Sequence, residues 1–129
     1  MLASVITVRV RYGETDQMGY CYYGNYAQYF EIGRTEWLRE NGISYKEMEL
    51  TGIMLPVTDL QIKYLKPAKY DDLLTIKTYV KNKPTAKIEF YYEIFNGEEL
   101  LTTGTTSLVF INTAKNRPVK APQYILDQF

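Results

Sequence analysis

No histidine occurs among the 129 residues. Ser-His-Asp and Cys-His catalytic systems, a histidine-ligated zinc or iron site and a histidine general base are therefore excluded within one chain. Acid-base chemistry must fall to carboxylate, tyrosine, lysine, backbone or water. Cysteine is almost as scarce: Cys21 stands alone, so no internal disulfide can form, and without a histidine to activate it a packed thiol is a better reading than a nucleophile. Neither sign of charge is in excess, with 15 Lys and Arg against 15 Asp and Glu. That balance removes the basic field on which non-specific nucleic-acid binding depends, and no nucleic-acid partner is expected. No run of eighteen apolar residues exists, and the stretch from Met1 to Val10 lacks a basic start, a long apolar core and a small-residue cleavage site. The expectation is a cytoplasmic protein without membrane insertion, a single domain over residues 1–129.

What is abundant is tyrosine, with thirteen residues, which predicts a core or interface lined with phenols whose hydroxyls find partners. From Val5 to Arg11, Ile6, Val8 and Val10 alternate with Thr7, Arg9 and Arg11, a strand with one buried face. Gly13 to Gly24, with three glycines and a cluster of aromatics, reads as a loop, the kind of segment in which sites tend to lie. From Asn25 to Asn41 a helical stripe follows: Tyr26, Tyr29, Phe30, Gly33 and Trp37 share one face, while Gln28, Glu31 and Thr35 fall away from it. Gly33 costs about 1 kcal/mol of helix propensity relative to Ala, and close approach of the helix to a sheet would offset it. Ser44 and Glu47 form a capping box for a short helix ending near Gly52.

Alternation then resumes in Asp59–Tyr64, Leu74–Lys81 and Lys87–Ile94, with a strand break at Lys66-Pro67 and a hairpin signal at Asn96-Gly97. Leu100 to Asn112 is apolar or small on both sides, which predicts one strand covered on both faces, by the long helix and by a second chain. Gln123 to Phe129 can form a short terminal helix. The order implies an α+β fold, a five-stranded antiparallel sheet wrapped around one long central helix. One helix cannot cover such a sheet, so a homodimer or homotetramer is expected.

One stretch carries more than pattern. Arg11-Tyr12-Gly13-Glu14-Thr15-Asp16-Gln17-Met18-Gly19 continues through Tyr22-Tyr23-Gly24-Asn25-Tyr26 to Phe30-Glu31 and Arg34-Thr35-Glu36. Together with Tyr64-Leu65-Lys66-Pro67-Ala68, Asp71-Asp72-Leu73 and Arg117-Pro118-Val119, it resembles the hot-dog-fold acyl-CoA thioesterases of the 4-hydroxybenzoyl-CoA thioesterase family. The resemblance implies hydrolysis of an acyl or aroyl thioester, with Asp16 as nucleophile or as base for water. It also implies that backbone N–H groups around Tyr23 and Gly24, at the start of the long helix, polarise the thioester carbonyl. Many members of the branch found in the Tol-Pal gene neighbourhood carry histidine where this sequence has Tyr23; the 4-hydroxybenzoyl branch has tyrosine there.

In the same reading Tyr22 and Tyr26, with Tyr23, line the acyl pocket, and Lys83 and Lys87, with Lys81 nearby, hold coenzyme A phosphates close to a neighbouring subunit. Coenzyme A is then part of the substrate; no separate cofactor and no metal are expected. Bland readings stand beside these: Asp16 as an Asx-turn residue, Asp71-Asp72 as turn chemistry, the lysines as solubilising charge, Glu31 and Glu36 as solvated or interface groups. The rival function is a non-catalytic module that binds acyl-CoA or acyl carrier protein.

Overall fold

The computed structural model of the protein describes residues 2–129, so Met1, the first residue of the expected domain, lies outside the described residues. The chain opens with strand β1 (Leu2–Arg9), passes through two single-turn 3-10 segments at Tyr12–Glu14 and Tyr23–Asn25, and enters helix α1 (Tyr26–Glu40). Helix α2 (Tyr45–Leu50) follows, then β2 (Ile53–Met54), β3 (Val57–Tyr64), β4 (Leu73–Val80), β5 (Lys87–Asn96) and β6 (Glu99–Val109). The chain ends with β7 (Ile111–Asn112), β8 (Arg117–Pro118) and α3 (Gln123–Leu126). Strands β1-β4-β5-β6-β3, in that order, form one antiparallel five-stranded sheet around α1, the hot-dog arrangement expected from the sequence.

The helix forms where the apolar stripe predicts it. Tyr26, Tyr29, Phe30, Gly33 and Trp37 are all buried, and Gln28 and Glu31 are exposed. Removing a large apolar side chain such as Phe30 or Trp37 from water contributes about 2–3 kcal/mol each before entropy is counted. Two glycines set the helix-to-sheet distance. A Cβ at Gly33 would run into Thr78 Oγ1 and come within 3.0 Å of Ile76 Cγ2, so only glycine lets α1 sit this low on β4. A Cβ at Gly104 in β6 would run into the Phe30 ring, which instead lies stacked on Tyr92 with centroids 4.2 Å apart. Ser44 caps α2 by accepting from Glu47 N–H.

One expectation needs correction, and two features lie outside the sequence pattern. Leu100–Asn112 is not one strand: β6 ends at Val109, and although Phe110 stays buried in step with Leu108 and donates its N–H to Ala86 O just before β5, Ile111 and Asn112 pair instead with β2. Beyond it β7 joins β2 and β8 in a separate three-stranded sheet that the sequence pattern did not announce. In β3 the alternating side made of Leu60, Ile62 and Tyr64 does not lead to burial in this chain. It faces the concave side of the sheet, paired with Thr106, Gly104 and Thr102, yet Leu60 and Tyr64 remain 43% and 47% exposed. The reason is position: β3 is the edge strand, and α1 lies over β1, β4 and β5.

Candidate active site

Backbone bonds close the loop that carries Asp16. Thr15 bridges to Cys21, Asp16 N–H donates to Tyr20 O at 2.9 Å, and Gly19 N–H donates to Asp16 O at 2.9 Å. The carboxylate joins in, with Oδ1 accepting from Met18 N–H at 3.0 Å and Tyr20 N–H at 3.2 Å. This is the Asx turn of the bland reading. It also leaves Oδ2 without a hydrogen-bond partner among the described residues, so one oxygen is fixed and the other is free.

The second component is the entry to α1. Tyr22 N–H is held by Glu14 O at 2.8 Å, and the Tyr23–Asn25 turn leads into the helix with the N–H groups of Tyr23 and Gly24 unbonded among the described residues. Free N–H groups at a helix N-terminus carry partial positive charge, which suits an oxyanion. A Cβ at Gly24 would approach Tyr22 Cε2 at 2.8 Å, so the turn is closed tightly beneath the Tyr22 ring.

Between these components lies a cavity of about 260 Å³, lined on one side by Asp16, Met18, Tyr20, Cys21, Tyr23 and Tyr26 and on the other by Tyr64, Leu65, Lys66 and Pro67. Tyr26 is buried and meets Tyr64 edge-on, with centroids 5.3 Å apart. Burial pushes the ionisation of both hydroxyls above the usual tyrosine range, so they remain O–H donors at neutral pH. Burial also pushes up the Cys21 thiol, which sits 3.4 Å from the Tyr29 hydroxyl, the environment of a packed thiol.

Thus Asp16, Tyr23 and Tyr26 share one cleft, with Gly24 next in the chain. Tyr22 packs on Tyr23 at 4.8 Å but lies outside the cleft lining. Lys83 and Lys87 are elsewhere. The Asp16 loop abuts the Leu73 end of β4 through Cys21 N–H to Ala68 O, whereas Lys83 follows the Val80 end and Lys87 pairs with Val109. Eight strand residues span roughly 26 Å, and Lys83 lines a different concavity, of about 580 Å³, with Lys120. A third hollow, of about 610 Å³, lies over the outer sheet face, where Lys81 stacks on Tyr91; it holds neither Asp16 nor the helix terminus. Asp71 and Asp72 are turn residues: Asp71 adopts φ 70° and Asp72 accepts from Lys69 N–H. Glu31 is exposed, and Glu36 pairs with Arg39 at 3.1 Å.

Sequence reasoning missed Lys66, Leu65, Met18 and Tyr20 as cleft residues. The sequence shows Lys66 as half of a strand break and as part of the Tyr64–Ala68 segment; in the structure it lines the cleft while its ammonium pairs with Glu99 at 2.9 Å. The Tyr64↔Thr102 register and the Tyr64 hydroxyl bond to Tyr23 O, 41 residues away, create this wall, and no local pattern encodes such a contact.

The family model of the thioesterase-like superfamily matches residues 10–129. An acyl-CoA thioester hydrolase, YbgC of Escherichia coli O157:H7, is 30% identical over 123 residues, covering 95% of this chain and 92% of the relative. A crystal structure of a DHNA-CoA thioesterase from Staphylococcus aureus matches with TM-score 0.92 at 40% identity, over 99% of this chain and 87% of that one. A structure of a 4-hydroxybenzoyl-CoA thioesterase, at 20% identity, shares the fold with TM-score 0.86 over 97% of each chain.

Proposed function

The chain belongs to the thioesterase-like superfamily and is a thioester hydrolase, and from that premise we propose that it hydrolyses an acyl- or aroyl-coenzyme A in the Asp16 cleft. The observation that carries this reading is the division of labour within one carboxylate: Oδ1 is held by two backbone N–H groups while Oδ2 is free beside a cleft that reaches the start of α1. The thioester carbonyl carbon is attacked either by Oδ2, giving an acyl anhydride that water then opens, or by a water whose proton Oδ2 takes. The carbonyl oxygen gains negative charge as the carbon becomes tetrahedral, and the Tyr23 and Gly24 N–H groups stabilise it. Collapse expels coenzyme A as a thiolate. A thiol ionises near pH 8.5, so the leaving group departs without a general acid, and a protein with no histidine suffices.

Tyr26, Tyr64 and Leu65 give the acyl or aroyl group an apolar wall, and Tyr22 packs against Tyr23 from outside. The assembly in this reading is a homodimer through β3. Support comes from the free edge of β3 and from the exposure of Leu60 and Tyr64 on its concave side. Antiparallel pairing of two β3 edges sets the Val57 end of one copy against the Tyr64 end of the other. Lys87, beside the Val57 end through Val109 and Leu108, and Lys83 are then carried toward the Asp16 cleft of the other copy, where coenzyme A phosphates would meet them.

The test is release of free thiol from a panel of straight-chain, branched and aromatic acyl-CoAs, with sedimentation to give the oligomer. Turnover of at least one member by a dimer or a multiple of it supports the reading. Absence of turnover across the panel, with acyl-CoA binding intact by calorimetry, replaces it with a binding module.

A further inference from the structure

Hydrolysis as described needs the Asp16 carboxylate and the Tyr23 and Gly24 N–H groups at a fixed spacing. The covalent route between them runs from residue 16 to residue 24 through the turn at Gly19, closed by the Thr15–Cys21 bridge. A shorter route runs through Glu14, outside the cleft. The Glu14 carbonyl oxygen accepts from Tyr22 N–H at 2.8 Å and from Asn25 Nδ2 at 2.7 Å, so the residue two before Asp16 is bonded directly to the residue after Gly24. The Glu14 carboxylate is bonded as well: Oε1 accepts from Arg11 N–H at 2.8 Å and from the Tyr29 hydroxyl at 3.1 Å. Its side chain is 13% exposed and Tyr29 is 2% exposed. In such surroundings a charge-assisted bond is strong and a missing donor is costly.

Resting on the Asp16 reading, we infer that Glu14, Asn25 and Tyr29 are positioning residues: they tie the Asp16 loop to the first turns of α1 and so set the spacing between the attacking group and the oxyanion donors. None of the three lines the cleft. Asn25 fixes the loop to the residue adjoining the oxyanion donors, and Tyr29 fixes it one helical turn further in. Loosening either tie leaves the acyl wall in place and detunes only the reacting geometry, which costs turnover and spares substrate binding. A displacement of about 1 Å at a reacting group is enough for roughly a hundredfold loss.

Asn25→Ala, Asn25→Asp and Tyr29→Phe are compared with wild type by steady-state thiol release from the acyl-CoA that wild type turns over fastest, with folding checked by circular dichroism. The expected result is a kcat about tenfold to a hundredfold lower with KM within about threefold. Asn25→Asp is the discriminating variant, since it keeps the shape of asparagine and lacks the N–H donor. It falls as far as Asn25→Ala if the bond to Glu14 is what matters, and it stays at the wild-type level if the side chain serves only packing, which overturns the inference. Should Tyr29→Phe fail to fold, the Asn25 pair decides alone. Unchanged kcat in folded Asn25→Ala also overturns it. Wild-type turnover by Asp16→Asn, measured beside them, overturns the parent reading as well and is distinguishable because it needs no change in the tie.

Discussion

The Tyr64 hydroxyl donates to the Tyr23 carbonyl oxygen at 3.1 Å, and the N–H at the other end of that same peptide belongs to Gly24. An edge-strand tyrosine therefore grips the peptide unit whose N–H is the proposed oxyanion donor. Removing the hydroxyl in Tyr64→Phe keeps the ring, which stands edge-on to both Tyr23 and Tyr26. A bond of about 1 kcal/mol corresponds to roughly fivefold in rate, so kcat is expected to fall about threefold to tenfold while the thermal midpoint drops by about 4 °C or less. Steady-state kinetics beside a thermal melt checks this, and unchanged kcat would remove Tyr64 from the account.

Gly33→Ala tests the seating of α1. Helix propensity favours alanine by about 1 kcal/mol, but the added Cβ runs into Thr78 Oγ1 and crowds Ile76. The contact is with buried groups that have little room to yield, so a net loss of about 1–3 kcal/mol is expected by urea denaturation. In a Thr78→Ala background the sign should shift toward stabilisation, because the hydroxyl is gone. A wild-type background that is stabilised by Gly33→Ala would show that the helix can lift without cost.

Alkaline pH should unfold the protein through its tyrosines. Tyr92 is buried with its hydroxyl 2.6 Å from Thr106 Oγ1, and burial is the main cause that holds its ionisation up to about 12, against 10.0 in an unfolded chain. Below pH 10 both states keep the proton and Tyr92 adds no pH dependence. Between about 10 and 12 the unfolded state loses its proton first, so stability falls with rising pH, by about 1.4 kcal/mol per pH unit for this residue. Tyr29, Tyr26 and Tyr45 are shifted in the same direction by burial and steepen the fall. Urea midpoints measured from pH 8 to 12 should stay level to about pH 10 and then drop, with a shallower drop in Tyr92→Phe. A profile flat to pH 12 would contradict the assignment.

The α1 stripe and the strands β1, β4 and β5 were legible because burial there follows period: Leu74, Ile76, Thr78 and Val80 are all inside, as are Ile88, Phe90, Tyr92 and Ile94. The need for Gly33 was legible from its cost within a helix. The end of β6 was not, since Phe110 keeps the inward period of Leu108 and its N–H still reaches Ala86 O, so the alternation runs on unbroken past the point where the chain passes from β6 to β7. In the cleft, the near wall of Asp16, Tyr23 and Tyr26 lies within one short segment, and the motif exposed it. The far wall of Tyr64, Leu65 and Lys66 arrives through sheet register, and the Glu14 tie arrives through tertiary hydrogen bonds. Both are long-range properties without a local signature.

Everything proposed for the chemistry converges on Asp16, and Asp16→Asn is the least disruptive probe of it. The amide oxygen can still accept from Met18 and Tyr20 N–H, which preserves the Asx turn, while the free position loses both its charge and its basicity. The decisive measurement is thiol release by wild type and Asp16→Asn on the same acyl-CoA, both verified as folded and of equal oligomeric size. A drop in kcat of about a thousandfold or more with KM nearly unchanged is the predicted result. Turnover within about threefold of wild type would contradict the account and leave Asp16 as a loop-forming residue only.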